Sequence, residues 1–192
     1  MLINTHKLIS SFIYDFIRVE TNIEIDKNYF KYGNMKPDFT YGLFNRSHTL
    51  KDSFGFVIEK ANNLISSKDI TTKQFSSELG VICHFTSDFF CTPHYYKDGE
   101  YSKLLDHINY EYNLHNKLKE VDKKFFLDFY KKRINNIKTN SIGEIILLLN
   151  ENYSRIRPNM DNDIYFAIMA SSLVSKLVVE NAYLFTDKKI AA

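Results

Sequence analysis

The chain has 192 residues, 44% hydrophobic and 25% charged. That supplies one packed core and excludes a disordered or collagen-like chain. A net charge of +2 without a basic stripe gives no electrostatic case for a long nucleic acid or an anionic membrane.

In chain order, Leu8, Ile9, Phe12, Ile13, Phe16 and Ile17 recur at helical spacing and predict a first amphipathic helix. Asp15 interrupts the apolar stretch "LISSFIYDFI", and no small-residue cleavage site follows. The stretch therefore reads as a folded helix, not a signal peptide, and the expected location is cytoplasmic. "GNMKPDFTYGLFNRS" holds two of the six glycines and one of the three prolines, and is expected to be the main irregular loop. Leu50, Phe54, Val57, Ile58, Ala61, Leu64 and Ile65 predict a second helix. A third starts near Thr71, with Phe75, Leu79, Ile82 and Phe89 as its apolar stripe, and ends at about Pro93. A helix over about 103–120 follows, then shorter ones near 123–136 and 141–156. The last, over about 161–185, is apolar over much of its surface and is expected at the centre. No uninterrupted apolar run reaches the roughly 18 residues of a membrane span. No strand pattern and no linker appear, so the fold class is all-α, a single helical bundle over residues 1–192.

Cys83 and Cys91 are the two cysteines. Eight residues apart on one predicted helix, they are separated by a rise of about 12 Å, too far for a mutual disulfide. Both are expected to be free, as in a reducing compartment.

The chemistry lies in five of the six histidines. His84 and Asp88 are four apart on the third helix and share one face, with Gly80 one turn earlier leaving room for something to approach. His94 follows where the chain turns. "HINYE" repeats the geometry with His107 and Glu111. Asp38 and His48 stand at the two ends of "DFTYGLFNRSH", and His6 opens the first helix. Imidazole and carboxylate at such spacing can share one metal ion. Each pair alone is more often a surface ion pair, Asp38 alone a turn residue after Pro37, and His6 alone a residue beside a helix cap. The combined order is what points to a metal centre, and only His115 stands outside it. Tyr41, Tyr95 and Tyr96 read first as ordinary surface and core aromatics, and second as the lining of a substrate pocket.

That order resembles the zinc-dependent phospholipase C family. The motifs that carry the likeness are Thr5-His6, Pro37-Asp38 followed by His48, His84-x-x-x-Asp88 with His94 six residues on, and His107-x-x-x-Glu111. Related single-strand-specific zinc nucleases close the same scheme with His-x-x-x-Asp, so Glu111 favours the phospholipase branch. The resemblance implies a trinuclear zinc site. Asp38, His48, His84 and Asp88 would hold one ion, and His94, His107 and Glu111 a second. His6 and a bridging Asp88 would hold a third. In secreted members the amine and carbonyl of an N-terminal Trp complete the third ion; here the amine of Met1, five positions before His6, would take that place. Two tightly bound zinc ions and a weaker third are therefore expected, with neither cysteine a ligand. The helices starting near Thr71 and Lys103 are expected side by side. The resemblance implies hydrolysis of the glycerol–phosphate bond of a phospholipid by a metal-activated water. Asp38 is the candidate general base, and the protein would touch a membrane surface transiently. The alternatives are a nuclease or small-molecule phosphodiesterase, and a non-catalytic module in which metal supplies folding energy.

Overall fold

A computed structural model describes residues 1–95, 103–124, 126, 137 and 139–185. The described residues contain helices and no strand: α1 Ile3–Thr21, α2 Lys27–Met35, a 3-10 turn Lys36–Asp38, α3 Leu50–Ser66 and α4 Thr72–Asp88, then the single turn α5 Thr92–Tyr95, α6 Leu104–Lys119, α7 Ile142–Ser154 and α8 Met160–Asn181. The expected all-α class is what the structure shows. The helix expected near 123–136 falls for the most part outside the described residues, and so does Tyr96.

α4 is the strut around which the rest is arranged. Its start is fixed by a capping box, in which the Thr71 side chain accepts from the Gln74 N–H and the Gln74 side chain accepts from the Thr71 N–H. From Phe75 to Asp88 every residue except Glu78 is buried. The His84 and Asp88 face is as enclosed as the Phe75 and Leu79 face, because α2, α3 and α8 pack around it. α8 shares the centre and also packs on α1 and α7. Its most apolar 18-residue window has a mean hydropathy of 1.3, enough by length and composition for a membrane span, but 78% of that window is buried inside the bundle. α8 thus satisfies its apolar surface against other helices.

The sequence reading did not anticipate α2. Asp26 nucleates it by accepting from the backbone N–H groups of Asn28 and Tyr29. Only Phe30, Gly33 and Asn34 are buried along it, so its periodic signal is weak. It removes Gly33 to Met35 from the expected irregular loop. Gly33 and Gly80 face each other's helices where α2 crosses α4. A Cβ on Gly80 would lie 2.6 Å from the Asn34 backbone nitrogen and nearer still to the Phe30 carbonyl oxygen. A Cβ on Gly33 would lie 2.7 Å from the Ser77 carbonyl carbon. The space beside His84 that Gly80 leaves is therefore filled by the α2 backbone.

Two further expectations are corrected. α6 does not lie alongside α4; it packs on α1 and α8. Cys83 and Cys91 do not share one helix, because α4 ends at Asp88. Both thiols are free and buried. Cys83 pairs with the Ser175 hydroxyl at 2.9 Å, and burial pushes its pKa up to about 12.

Candidate metal centre

The short segment after α4 delivers His94. Thr92 begins a single helical turn, and the His94 N–H donates to the Cys91 carbonyl oxygen at 2.9 Å. The turn swings the His94 ring over the end of α4, where it meets the Met1 amine, His48 from the loop before α3, and His107 and Glu111 from α6. His94 and His107 rings sit with centroids 4.9 Å apart. His94 and His48 rings are 5.7 Å apart, and His48 and His84 rings 4.9 Å. His6 stacks on His84 at 3.8 Å.

Asp88 stands at the junction. Its Oδ1 lies 2.7 Å from the Met1 amine, 3.4 Å from His6 Nε2 and 3.8 Å from His94 Nε2. Its Oδ2 lies 2.7 Å from His48 Nδ1 and 3.4 Å from His84 Nε2. Glu111 Oε1 lies 2.8 Å from His107 Nε2, 3.1 Å from His94 Nε2 and 3.1 Å from the Met1 amine. Asp38, the last residue of the 3-10 turn and not a loop residue as expected, places Oδ1 3.7 Å from His84 Nε2. All nine residues singled out in the sequence thus come together. His115 lies apart, with Nδ1 3.2 Å from the Thr5 hydroxyl.

The ring orientations are set by groups that spacing did not reveal. His84 Nδ1–H donates to the Asn34 carbonyl oxygen at 2.9 Å, which leaves the Nε2 lone pair facing Asp88 and His48. Ser87 donates its hydroxyl proton to the His84 carbonyl oxygen, so at 3.3 Å its oxygen accepts from His6 Nδ1–H. His6 Nε2 is then left as a buried acceptor with no hydrogen-bond partner, and Asp38 Oδ2 is another. Second-sphere bonds of this kind fix the tautomer and aim of a ligating imidazole. Gly80 was the one signal of the Asn34 contact; for Ser87 there was none.

Electrostatics follow the same geometry. Burial alone would push the Asp88 carboxyl up, but the Met1 ammonium and the His6, His94 and His84 rings outweigh it and hold it well below the usual range. Glu111 behaves alike: burial is opposed by the Met1 ammonium and by hydrogen bonds from His107 and His94, and the net direction is down. Burial, aided by His6, holds His84 well below an ordinary imidazole. Burial and the Met1 ammonium lower His94 to about 4. Burial raises the Asp38 carboxyl, against the opposing influence of His6. Burial acts to lower the Met1 amine, yet Asp88 and Glu111 prevail and raise it to about 12.

The donor set fits zinc. Neutral imidazoles and carboxylates are its preferred nitrogen and oxygen ligands. Ligand atoms of His6, His84 and Asp88 lie within 4.8 Å of one another, as do those of Asp38, His48 and His84. A third such group is Cys91, His94 and Glu111, which brings the Cys91 thiol closer to the cluster than the sequence suggested. The buried acceptors His6 Nε2 and Asp38 Oδ2, which have no hydrogen-bond partner among the described residues, are suited to facing a cation or a water bound to one. A cleft of about 580 Å³ opens onto the cluster, lined by Asp38, His48, His94, His107 and Glu111 together with Phe44 and Arg46. A neighbouring cleft of about 620 Å³ shares Thr49 and His94 with it and has Leu50, Phe54, Tyr95 and Leu147 in its walls. Tyr41 is 93% exposed and lines neither.

The sequence profile of the family described as zinc dependent phospholipase C matches residues 5–161. Neither curated proteins nor solved structures gave a match. The matched segment holds every side chain of the cluster from His6 to Glu111, and the chain belongs to the zinc-dependent phospholipase C family.

Proposed function

We propose that the protein is a phosphodiester hydrolase that cleaves the glycerol–phosphate bond of phospholipids. In this reading Asp38, His48, His84 and Asp88 hold one zinc ion, and His94, His107 and Glu111 a second. His6, the shared Asp88 and the Met1 amine hold a weaker third. The observation that carries it is Asp88, whose two oxygens face two different sets of nitrogen atoms. Zinc in such a set supplies Lewis acidity toward water and toward phosphate oxygens.

The chain's own groups do the rest. The solvent exposure of the His107 side chain, 28%, leaves one side of the cluster open, as hydrolytic zinc sites require and closed structural sites do not. A phosphate entering the 580 Å³ cleft meets Arg46, whose guanidinium is held 4.0 Å over the Phe56 ring. The apolar walls of the adjoining cleft accept the glycerol side of a phospholipid. Asp38 lines the open cleft with one carboxylate oxygen unpartnered, so it orients the attacking water and takes its proton. As the phosphorus–oxygen bond breaks, the glycerol oxygen leaves with a proton from solvent, and the head group leaves as its phosphate monoester.

The test is a metal-replete assay on a choline phospholipid, on other head groups, and on bis-nitrophenyl phosphate, with zinc counted on the same sample. Zinc-dependent release of diacylglycerol supports the reading. Turnover of the soluble diester alone replaces the lipid with a small phosphodiester. Bound zinc without turnover of either leaves the metal a structural element.

A further inference from the structure

We propose that Asp163 is a positioning residue for the second ligand set: from α8 its carboxylate ties the His94 turn to α6, and so sets where His94 stands relative to His107 and Glu111. The inference rests on the assignment of those three residues as ligands in the preceding reading. α8 supplies no ligand of its own, and Asp163 lies beyond the segment matched by the family profile, which ends at residue 161.

Asp163 is fully buried and is the acceptor for four hydrogen bonds. Oδ2 accepts from the Thr92 backbone N–H at 2.8 Å and from the Tyr110 hydroxyl at 2.8 Å. Oδ1 accepts from the Thr92 hydroxyl at 2.9 Å and from the Tyr153 hydroxyl at 2.6 Å. The partners are not a random sample of the core. Thr92 opens the single turn that carries His94. Tyr110 adjoins Glu111 and stands three residues after His107 on α6. Tyr153, on α7, packs its ring edge against Tyr95, the neighbour of His94, with centroids 5.0 Å apart. One carboxylate therefore holds both ligand-bearing segments, which do not belong to one helix.

A bland reading is available: a buried carboxylate whose donors happen to be local, contributing stability and nothing else. It fails to explain why Oδ2 joins the two ligand-bearing segments, Thr92 on one and Tyr110 on the other, while Oδ1 ties the same Thr92 to α7 through Tyr153. The bond to the Thr92 N–H is the decisive one, because a backbone donor cannot turn toward another acceptor as a hydroxyl can. Replacing Asp163 by Asn puts an NH₂ group among four donors, so whichever oxygen it replaces, one Thr92 donor and one tyrosine hydroxyl lose their acceptor. Loss of an outer partner of a zinc ligand typically weakens metal affinity about 10–100-fold.

The experiment uses the full chain, stripped of metal and titrated with zinc against a chromophoric chelator, with a parallel titration by cobalt. Asp163→Asn is expected to weaken the second zinc about 10–100-fold and to alter the visible cobalt bands, which report ligand geometry. Thr92→Ser keeps both donors and is expected to match the wild type. Asp163→Asn that is less heat-stable, yet binds zinc and cobalt as the wild type does when folded, overturns the proposal. If Asp163→Asn does not fold, Tyr110→Phe decides, because it cuts the tie to α6 while leaving the Thr92 N–H bond in place: wild-type zinc affinity and cobalt bands overturn it, and weakened zinc with shifted bands support it. His94→Ala separates the two levels. Zinc lost in His94→Ala but retained in Asp163→Asn removes the positioning role alone. Zinc retained in His94→Ala removes the ligand assignment and the proposal with it.

Discussion

Asp88 faces the Met1 amine, His6 and His94 with one oxygen and His48 and His84 with the other. In the proposed assignment Asp88 serves two ions, and an asparagine there keeps one ligating oxygen for the two, whereas His6 serves one. Asp88→Asn is therefore expected to lower zinc content and turnover more than His6→Ala, with at least a tenfold weakening, roughly the lower end of what an outer partner costs. Elemental analysis of folded, zinc-reconstituted variants checks this; equal zinc in the two would remove the bridging role. Asp38 poses a different question, since a ligand and a base fail differently. General-base assistance is typically worth about 10²–10⁴ in rate. Asp38→Asn should keep most of its zinc through the amide oxygen while turnover falls by that factor. Full recovery of turnover in excess zinc would leave Asp38 a ligand only. At this scale the sequence was informative about the ligands and nearly silent about what aims them. His and carboxylate spacing survives in a linear chain because helix periodicity encodes it. The Asn34 carbonyl that fixes His84, and the Ser87 hydroxyl that fixes His6, are contacts of ordinary polar groups with no pattern of their own.

Helix crossings set the aim of those ligands. The α2 and α4 backbones approach so closely at Gly33 and Gly80 that a methyl group has no place there. Gly80→Ala is expected to destabilise the protein by about 1–3 kcal/mol, as overpacking of a core does. It should also weaken zinc binding, because pushing α2 away takes the Asn34 carbonyl from His84. Gly55→Ala is the matched control. Gly55 lies within α3 with nothing near its missing Cβ, so alanine there should be neutral or stabilising by about 0.5–1 kcal/mol. Chemical denaturation of the metal-free variants, with zinc titration alongside, checks both. A Gly80→Ala protein as stable as Gly55→Ala would show that α2 yields without cost. The same crossing explains why α2 escaped the sequence reading. A glycine near a proline reads as a breaker, and here Gly33 serves close approach inside a helix. The α4–α6 neighbourhood was misjudged for a related reason. Convergence of these side chains on one point does not need adjacent helices, because the turn at Thr92–Tyr95 carries His94 across to α6.

Across the whole molecule, the burial of so many titratable groups couples folding, zinc and protons. In the metal-free fold His94 titrates near 4, below its ordinary 6.5, and His84 is shifted in the same direction. Between those values the unfolded chain binds protons that the fold refuses, so stability falls as pH drops from about 6.5 toward 4. Asp88 and Glu111, held below the ordinary carboxylate range, add a loss of the same sign at lower pH. Asp38 and Asp163, whose carboxyls burial raises, act in the opposite direction and favour the fold as they take up protons. Two imidazoles and the Asp88 and Glu111 carboxylates lose stability in acid against two carboxyls that gain it, so the net effect of acid is expected to be destabilising. Zinc sharpens this dependence, because it binds only the assembled cluster and stabilises the fold by mass action. Its ligands must be unprotonated. Thermal unfolding with excess zinc and with chelator, followed from pH 7.5 to 4.5, should therefore show two trends. The chelated protein loses Tm as pH falls below about 6.5. The increment due to zinc is largest near neutrality and shrinks through the same range. An increment that stays constant with pH would mean that zinc is held by groups other than these histidines and carboxylates, and would dissolve the link between the buried cluster and the metal.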